Sequence, residues 1–136
     1  MDEHERIKYI LREVDANEAF IMKNGIKLYS LEDLTDALRI ISDDIYNYHV
    51  THERNDFATW VRDVFNDLTL AARLYAAKNR FDAADKVEER IEFLKKRLEY
   101  KEKVRKNNEL KKIWVYDFLI GFILGVIFAW FLSLIL

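Results

Sequence analysis

Four residues of metal-ligating type cluster in one short stretch of this sequence, namely His49, His52, Glu53 and Asp56. Two histidines three positions apart on a helix can chelate a divalent ion, and a nearby carboxylate can complete or orient such a site. The structural alternative is a half-buried histidine beside Trp60 and Asp56 that donates a hydrogen bond to a carboxylate. We favour this alternative, so we predict no metal and no cofactor, with His49 and His52 as the candidates if a metal is bound.

A second group, Trp60, Arg62 and Asp63, combines residue types that anchor protein interfaces. Exposed aromatic and arginine side chains contribute most of the binding energy at such surfaces. The same residues also fit a tryptophan on an apolar helix stripe, an ion pair and an N-cap at Asp56. The sequence therefore offers these three as candidate contacts for a protein partner and leaves the structural interpretation open.

The sequence contains none of the familiar catalytic patterns. There is no cysteine, so thiol nucleophiles, disulfides and zinc–thiolate sites are excluded. Only three glycines occur, two of them in the apolar C-terminal stretch, and no phosphate-binding loop, Ser/His/Asp arrangement or paired-carboxylate motif is present. We expect that the protein is not an enzyme and has no catalytic residues.

The elements that must position these residues are predicted to be mainly α-helical. Helical spacing of apolar residues indicates helices at 2–14 and 31–41, and Asn24-Gly25 predicts a tight β-hairpin turn within 19–29. Predicted N-caps that open further helices are Ser30, Ser42, Asp56, Asp67 and Asn79, with Asn66 as a left-handed helix end. We predict a helical domain at 1–94, a basic connector helix at 95–112 and a transmembrane helix at 113–136.

A short heptad pattern runs through the last predicted helix of the domain, which opens at Asn79. Its members are Ala84, Val87, Ile91, Leu94 and Leu98. The next two positions of the register are Lys101 and Arg105, so the pattern is too short for a long coiled coil. Packing on its own domain and pairing with a second chain both remain open, and Asn107-Asn108 is expected to loosen the helix.

The C-terminal stretch from Ile113 to Leu136 is the most apolar part of the chain. Its last nineteen residues, Phe118 to Leu136, carry no charge, and as a helix they would cover roughly the 30 Å thickness of a bilayer core. A buried soluble helix is disfavoured because a small domain has nothing with which to cover so many aromatic side chains. We predict a single membrane span with the layout of a tail-anchored protein.

Charge is distributed unevenly along the sequence. Residues 1–94 hold 13 Lys and Arg against 20 Asp and Glu, whereas residues 95–112 hold 9 against 3. Basic residues beside a span favour its cytoplasmic flank and contact anionic lipid headgroups. We predict a cell-membrane location, a cytoplasmic N-terminal domain and headgroup contacts from Lys101, Lys103, Arg105, Lys106, Lys111 and Lys112. Nucleic acid is not expected as a partner, because the acidic domain would repel a phosphate backbone.

Small residues recur at four-residue steps in the predicted span, at Gly121, Gly125, Ala129 and Ser133. Such a face lets a second helix backbone approach closely, which predicts helix association and a homo-oligomer. Glycine and alanine are common in membrane helices, so chance is the alternative.

The middle of the sequence resembles a small domain of unknown function that is common in archaeal and related prokaryotic proteins. The resemblance covers roughly residues 18–92 and depends on Ser30-Leu31-Glu32-Asp33-Leu34, Tyr48-His49, Asn55-Asp56-Phe57 and Trp60-Val61-Arg62-Asp63-Val64. It implies a compact, mostly helical cytoplasmic module and no particular ligand.

The function that we predict is a membrane adaptor or scaffold that presents a protein-binding domain, with a small accessory subunit of a larger membrane complex as the alternative.

Overall fold

The computed structural model describes residues 1–135 and confirms the predicted mainly α class with an N-terminal hairpin and a long C-terminal helix. Within these residues the chain divides into two compact units, Met1–Leu98 and the part from Glu99 onward. The elements in chain order are α1 (Glu3–Ile10), β1 (Phe20–Ile21), β2 (Lys27–Leu28), α2 (Leu31–Ile40), α3 (Asp43–His49), α4 (Asp56–Phe65), α5 (Leu68–Tyr75) and α6 (Arg80–Ile135). Leu136, the last residue of the predicted span, lies outside the described residues.

The helices begin at side-chain caps, and most of these caps were predicted. An N-cap oxygen accepts a backbone N–H that has no partner inside the helix. Such bonds are made by Ser30, Ser42, Asp67 and Asn79, with distances of 3.0, 3.4, 3.1 and 2.9 Å. The cap predicted at Asp56 is wrong. Asn55 caps α4 instead, at 2.9 Å from the Ala58 nitrogen, and Asp56 becomes the first helical residue.

The hairpin is present, with a turn that differs from the predicted one. Phe20 pairs with Leu28, and the Gly25 N–H donates to the Met22 carbonyl at 2.8 Å. Within the hairpin only Gly25 has a positive φ, of 83°, so the loop is a three-residue turn that ends in a glycine bulge. A two-residue turn would have required a positive φ at Asn24 as well.

Helix ends follow local backbone preferences with two exceptions. Asn66 ends α4 in the predicted left-handed conformation, at φ 54°. The first helix ends at Ile10, four residues earlier than predicted, because the chain then turns so that the Val14 N–H can donate to the Tyr29 carbonyl. The loosening expected at Asn107-Asn108 is absent, since α6 is continuous there. Asparagine costs a helix less than about 1 kcal/mol, which its lysine, glutamate and leucine neighbours offset.

The heptad residues pack on their own unit. Val87, Ile91 and Leu94 are buried with the apolar faces of the other helices, and Leu98 is partly buried at the edge of the same core. This arrangement answers the question that the sequence left open. Each fully buried side chain of this size contributes about 1.5–3 kcal/mol, so the stripe is needed for the fold.

A buried ion pair connects α5 to α6. The Asp67 carboxylate is fully buried and caps α5 through the Leu70 N–H. It also accepts two hydrogen bonds from Arg90, at 2.8 and 3.1 Å. Both charges are largely withdrawn from water, so separating the two groups would leave a buried charge without its partner. The pair therefore keeps α5 and α6 in contact.

Candidate functional site

The C-terminal part of α6 is long and apolar enough to cross a membrane. Its strongly apolar 18-residue window has no buried residue within the described chain. Exposed side chains there include Phe118, Phe122 and Phe128, each 63% accessible. The core helix of a soluble protein would be largely covered, whereas an apolar surface of this length needs lipid or another apolar partner. This surface is therefore the candidate functional feature of the second unit.

The basic segment directly before this window, residues 101–112, has few ion-pair partners among the described residues. Lys103, Arg105, Lys106, Lys111 and Lys112 are exposed and make no ion pair with any described residue, while Lys101 is half-buried and does interact. Most arginines of the first unit are paired with carboxylates, as Arg39 and Arg73 illustrate. The charges of the basic segment thus remain available for anions outside the chain.

The basic side chains also surround the helix. From Lys101 they recur at steps of two, two, one, five and one residues, and each residue advances an α-helix by about 100°. Charges consequently point to all sides of the axis. A helix lying flat on a membrane would segregate them on one face, so the pattern suits a helix surrounded by headgroups.

The small-residue face of the apolar window is open. A Cβ atom added at Gly121 or at Gly125 would meet nothing within 4 Å. The Ser133 hydroxyl donates to the Trp130 carbonyl at 2.6 Å, so its proton already has an acceptor within the helix. A second helix could approach this face without displacing any described side chain.

The His49 ring is part of the core of the first unit. Only 4% of the residue is exposed, and Phe20 and Phe57 lie at ring-centroid distances of 5.1 and 5.3 Å. Its Nε2 atom accepts the Lys23 N–H at 3.0 Å, so the proton is on Nδ1, which donates to Asp56 at 3.1 Å. His49 has no free lone pair for a metal, and it ties the hairpin loop to α4.

His49 and His52, the two candidate metal ligands, do not lie on one helix. The third helix ends at His49, and Val50 turns extended at φ −125° and ψ 112°. His52 lies exposed in the following loop, which is closed by a bond from the Thr51 N–H to the Arg54 carbonyl at 2.8 Å. Among residues 1–135, no group of three His, Cys, Asp or Glu side chains is placed to hold a metal ion. The expectation of no metal stays a prediction.

Replacing His49 by glutamine is expected to lower the free energy of unfolding by about 1–3 kcal/mol, because the Lys23 N–H and Asp56 lose a buried partner. His52→Gln is the matched control, and its exposed side chain predicts a change within about 0.5 kcal/mol. Chemical denaturation measures both values, and ¹⁵N NMR should show the Nδ1–H tautomer of His49. Equal effects of the two substitutions would contradict this assignment.

The candidate partner residues do not form one exposed face. Trp60 is buried at 7% exposure, and its indole N–H donates to the Glu18 carbonyl at 2.7 Å. Arg62 and Asp63 lie on the surface and pair with each other at 2.7 and 3.1 Å. The hydrogen bond from Arg62 lowers the pKa of Asp63, and the same contact raises the pKa of Arg62. Only this exposed pair is accessible to a partner.

A cleft between α1 and α6 was missed in the sequence. Arg6, Arg90 and Arg97 line it together with Phe93. These residues lie near the two ends of the sequence of the folded unit, so no local sequence motif contains all of them. The available signal was weaker, namely the three-residue and seven-residue spacing that places Arg90, Phe93 and Arg97 on one helix face.

Comparison with known proteins adds no assignment to this geometry. No protein-family model, curated protein or solved structure matches the chain. The resemblance of residues 18–92 to a domain of unknown function therefore stays an expectation, and the role of the protein must be inferred from its own surfaces.

Proposed function

We propose that this protein is a membrane adaptor or scaffold, in which the apolar part of α6 crosses the bilayer and the unit Met1–Leu98 binds a protein partner. The single observation that carries the proposal is the apolar window with no buried residue. Lipid is the solvent that suits such a surface over the length of a bilayer. The role is one of binding, not of catalysis.

The proposed orientation places Met1–Leu98 in the cytoplasm, at the cell membrane. Support comes from the basic segment, where five exposed cations, including Lys111 and Lys112, have no partner among the described residues. Positive charges beside a span are retained on the cytoplasmic side and attracted to anionic headgroups.

The proposal includes self-association through the open small-residue face. Replacing Gly121 and Gly125 together by isoleucine is expected to weaken association of the span about tenfold or more, because the added side chains keep the backbones apart. A membrane reporter assay of dimerisation measures the effect. The matched control is Ile123→Phe with Ile127→Phe, which adds bulk to the opposite face. An unchanged signal for the glycine variant would contradict self-association through this face.

An accessory subunit of a larger membrane complex is the second candidate. The same open face at Gly121 and Gly125 could pack against a helix of another protein. The size of the protein extracted in mild detergent separates the two. A homodimer supports the adaptor, and a larger co-purifying assembly supports the accessory subunit.

Affinity purification from native membranes tests the partner. We expect a specific protein to co-purify with the wild-type chain and to be lost when Arg62→Glu and Asp63→Arg exchange the exposed pair, because the partner then meets reversed charges. Glu92→Lys with Lys96→Glu exchanges another exposed pair and serves as the matched control. Equal recovery of the partner with both variants would exclude the Arg62–Asp63 surface.

A further inference from the structure

A cleft on the surface of the folded unit gathers positive charge in an otherwise acidic region. It lies between α1 and α6, and its lining includes Arg6, Arg90 and Arg97 with Phe93, Thr69 and one carboxylate, Glu3. Residues 1–94 carry 20 acidic and 13 basic side chains, whereas the three arginines of the cleft outnumber the two carboxylates that pair with them, Asp67 and Glu3. Such a local excess favours a negatively charged ligand.

Two of the three guanidinium groups are held in place. Arg90 is fixed by its two bonds to the buried Asp67, and Arg97 bonds to Glu3 at 2.5 Å. Both guanidinium carbons also lie near the Phe93 ring, at 5.6 and 5.7 Å from its centroid. Each group keeps further N–H donors beyond those its carboxylate uses. Donors fixed in this way bind an anion with little loss of side-chain freedom.

The third guanidinium has no partner. The Arg6 side chain makes no hydrogen bond or ion pair with any residue in the described part of the chain, although it lines the same cleft. Arg6 is exposed, so its guanidinium is accessible to an anion from solvent. An anion in the cleft would receive hydrogen bonds from Arg6 as well as from the two fixed arginines.

We propose that this cleft binds a phosphate group. Arginine matches phosphate through paired N–H donors, and a tetrahedral phosphate has enough oxygens for three guanidiniums and the Thr69 hydroxyl, whereas a carboxylate has only two. The half-exposed Phe93 ring offers an apolar wall to the organic part of a phosphate ester. The phosphate belongs either to a lipid headgroup or to a soluble ligand. This site is independent of the proposed partner surface.

Side-chain NMR of the full chain tests the proposal. The protein is labelled with ¹⁵N-arginine, placed in phosphatidylcholine nanodiscs and titrated with inorganic phosphate. A second arm uses nanodiscs that contain a phosphorylated phosphatidylinositol and no free phosphate. We expect saturable shifts of the Nε–H signals of Arg6, Arg90 and Arg97 in at least one arm, while Arg39 and Arg73 serve as internal references. The responding arm identifies the source of the phosphate.

A matched pair of variants excludes a general charge effect. Arg6→Gln removes a cleft charge and is expected to weaken phosphate binding about tenfold or more, because charge-assisted hydrogen bonds are lost. Lys8→Gln removes the same charge from the exposed side of the same helix and should leave the affinity unchanged. No saturable shift in either arm would overturn the proposal, as would equal losses in the two variants. Failure here leaves the membrane and partner assignments untouched, since neither depends on Arg6.

Discussion

Membrane integration of the protein is expected to be abolished when Leu124 and Ile127 are both replaced by arginine. Each lies in the apolar window and is more than half exposed, at 61% and 55%. An arginine near the centre of a membrane helix costs about 2.5–3.5 kcal/mol on insertion scales, so two cost roughly 5–7 kcal/mol. That cost shifts the partition between membrane and water by a factor of about 10³ or more.

Flotation of cell membranes and extraction with alkaline carbonate measure this effect. The matched control places two arginines at Val104 and Leu110, which lie in the basic segment outside the span. That variant adds the same charge and should remain in the membrane fraction. The membrane assignment would fail if both variants behaved alike, or if the intact wild-type chain proved a soluble monomer without detergent.

The second large effect concerns the buried pair of Asp67 and Arg90. Replacing Asp67 by alanine is expected to lower the free energy of unfolding of the folded unit by about 3–5 kcal/mol, because Arg90 keeps a buried charge without its partner and α5 loses its cap. Denaturation of the full chain in detergent measures it. With Trp114 and Trp130 replaced by phenylalanine, the buried Trp60 reports on this unit alone.

Two further variants test whether the loss of stability comes from the buried Asp67–Arg90 pair. Asp63→Ala removes a carboxylate from the exposed pair with Arg62 and should leave the denaturation midpoint close to that of the wild type. A double variant, Asp67→Leu with Arg90→Met, leaves no uncompensated charge and should be more stable than Asp67→Ala. A single-variant cost below that of Asp63→Ala would show that the pair does not hold α5 and α6 together.

Local patterns predicted much of the fold correctly. Helix caps such as Ser30 and Asn79, and the left-handed Asn66, depend on bonds within three or four residues, so neighbouring residues are enough to identify them. The cap at α4 was misplaced by one residue because Asn55 and Asp56 are both good caps. In the structure Asn55 makes the cap bond, and the Asp56 carboxylate accepts a hydrogen bond from His49 of another helix.

Distant contacts explain what sequence reasoning could not supply. Tryptophan is a residue type that often anchors interfaces. Only the contact of Trp60 with Glu18 and the core shows that this one is buried. The cleft arginines lie on one surface because α1 packs against α6, more than 80 residues later in the chain. Contacts at such separation depend on how all the apolar faces pack together, which no short window contains.

The sequence by itself determined the apolar C-terminal stretch, the basic segment before it, the acidic character of the rest and the order of helices and hairpin. These features follow from composition and from periods of two and 3.6 residues, which are properties of the chain read locally. Only the tertiary structure decided that the heptad stripe faces its own core, that both His49 ring nitrogens are occupied and that three arginines share a cleft. Each of these depends on which side chains meet after the chain has folded, and close packing of the whole core sets that outcome.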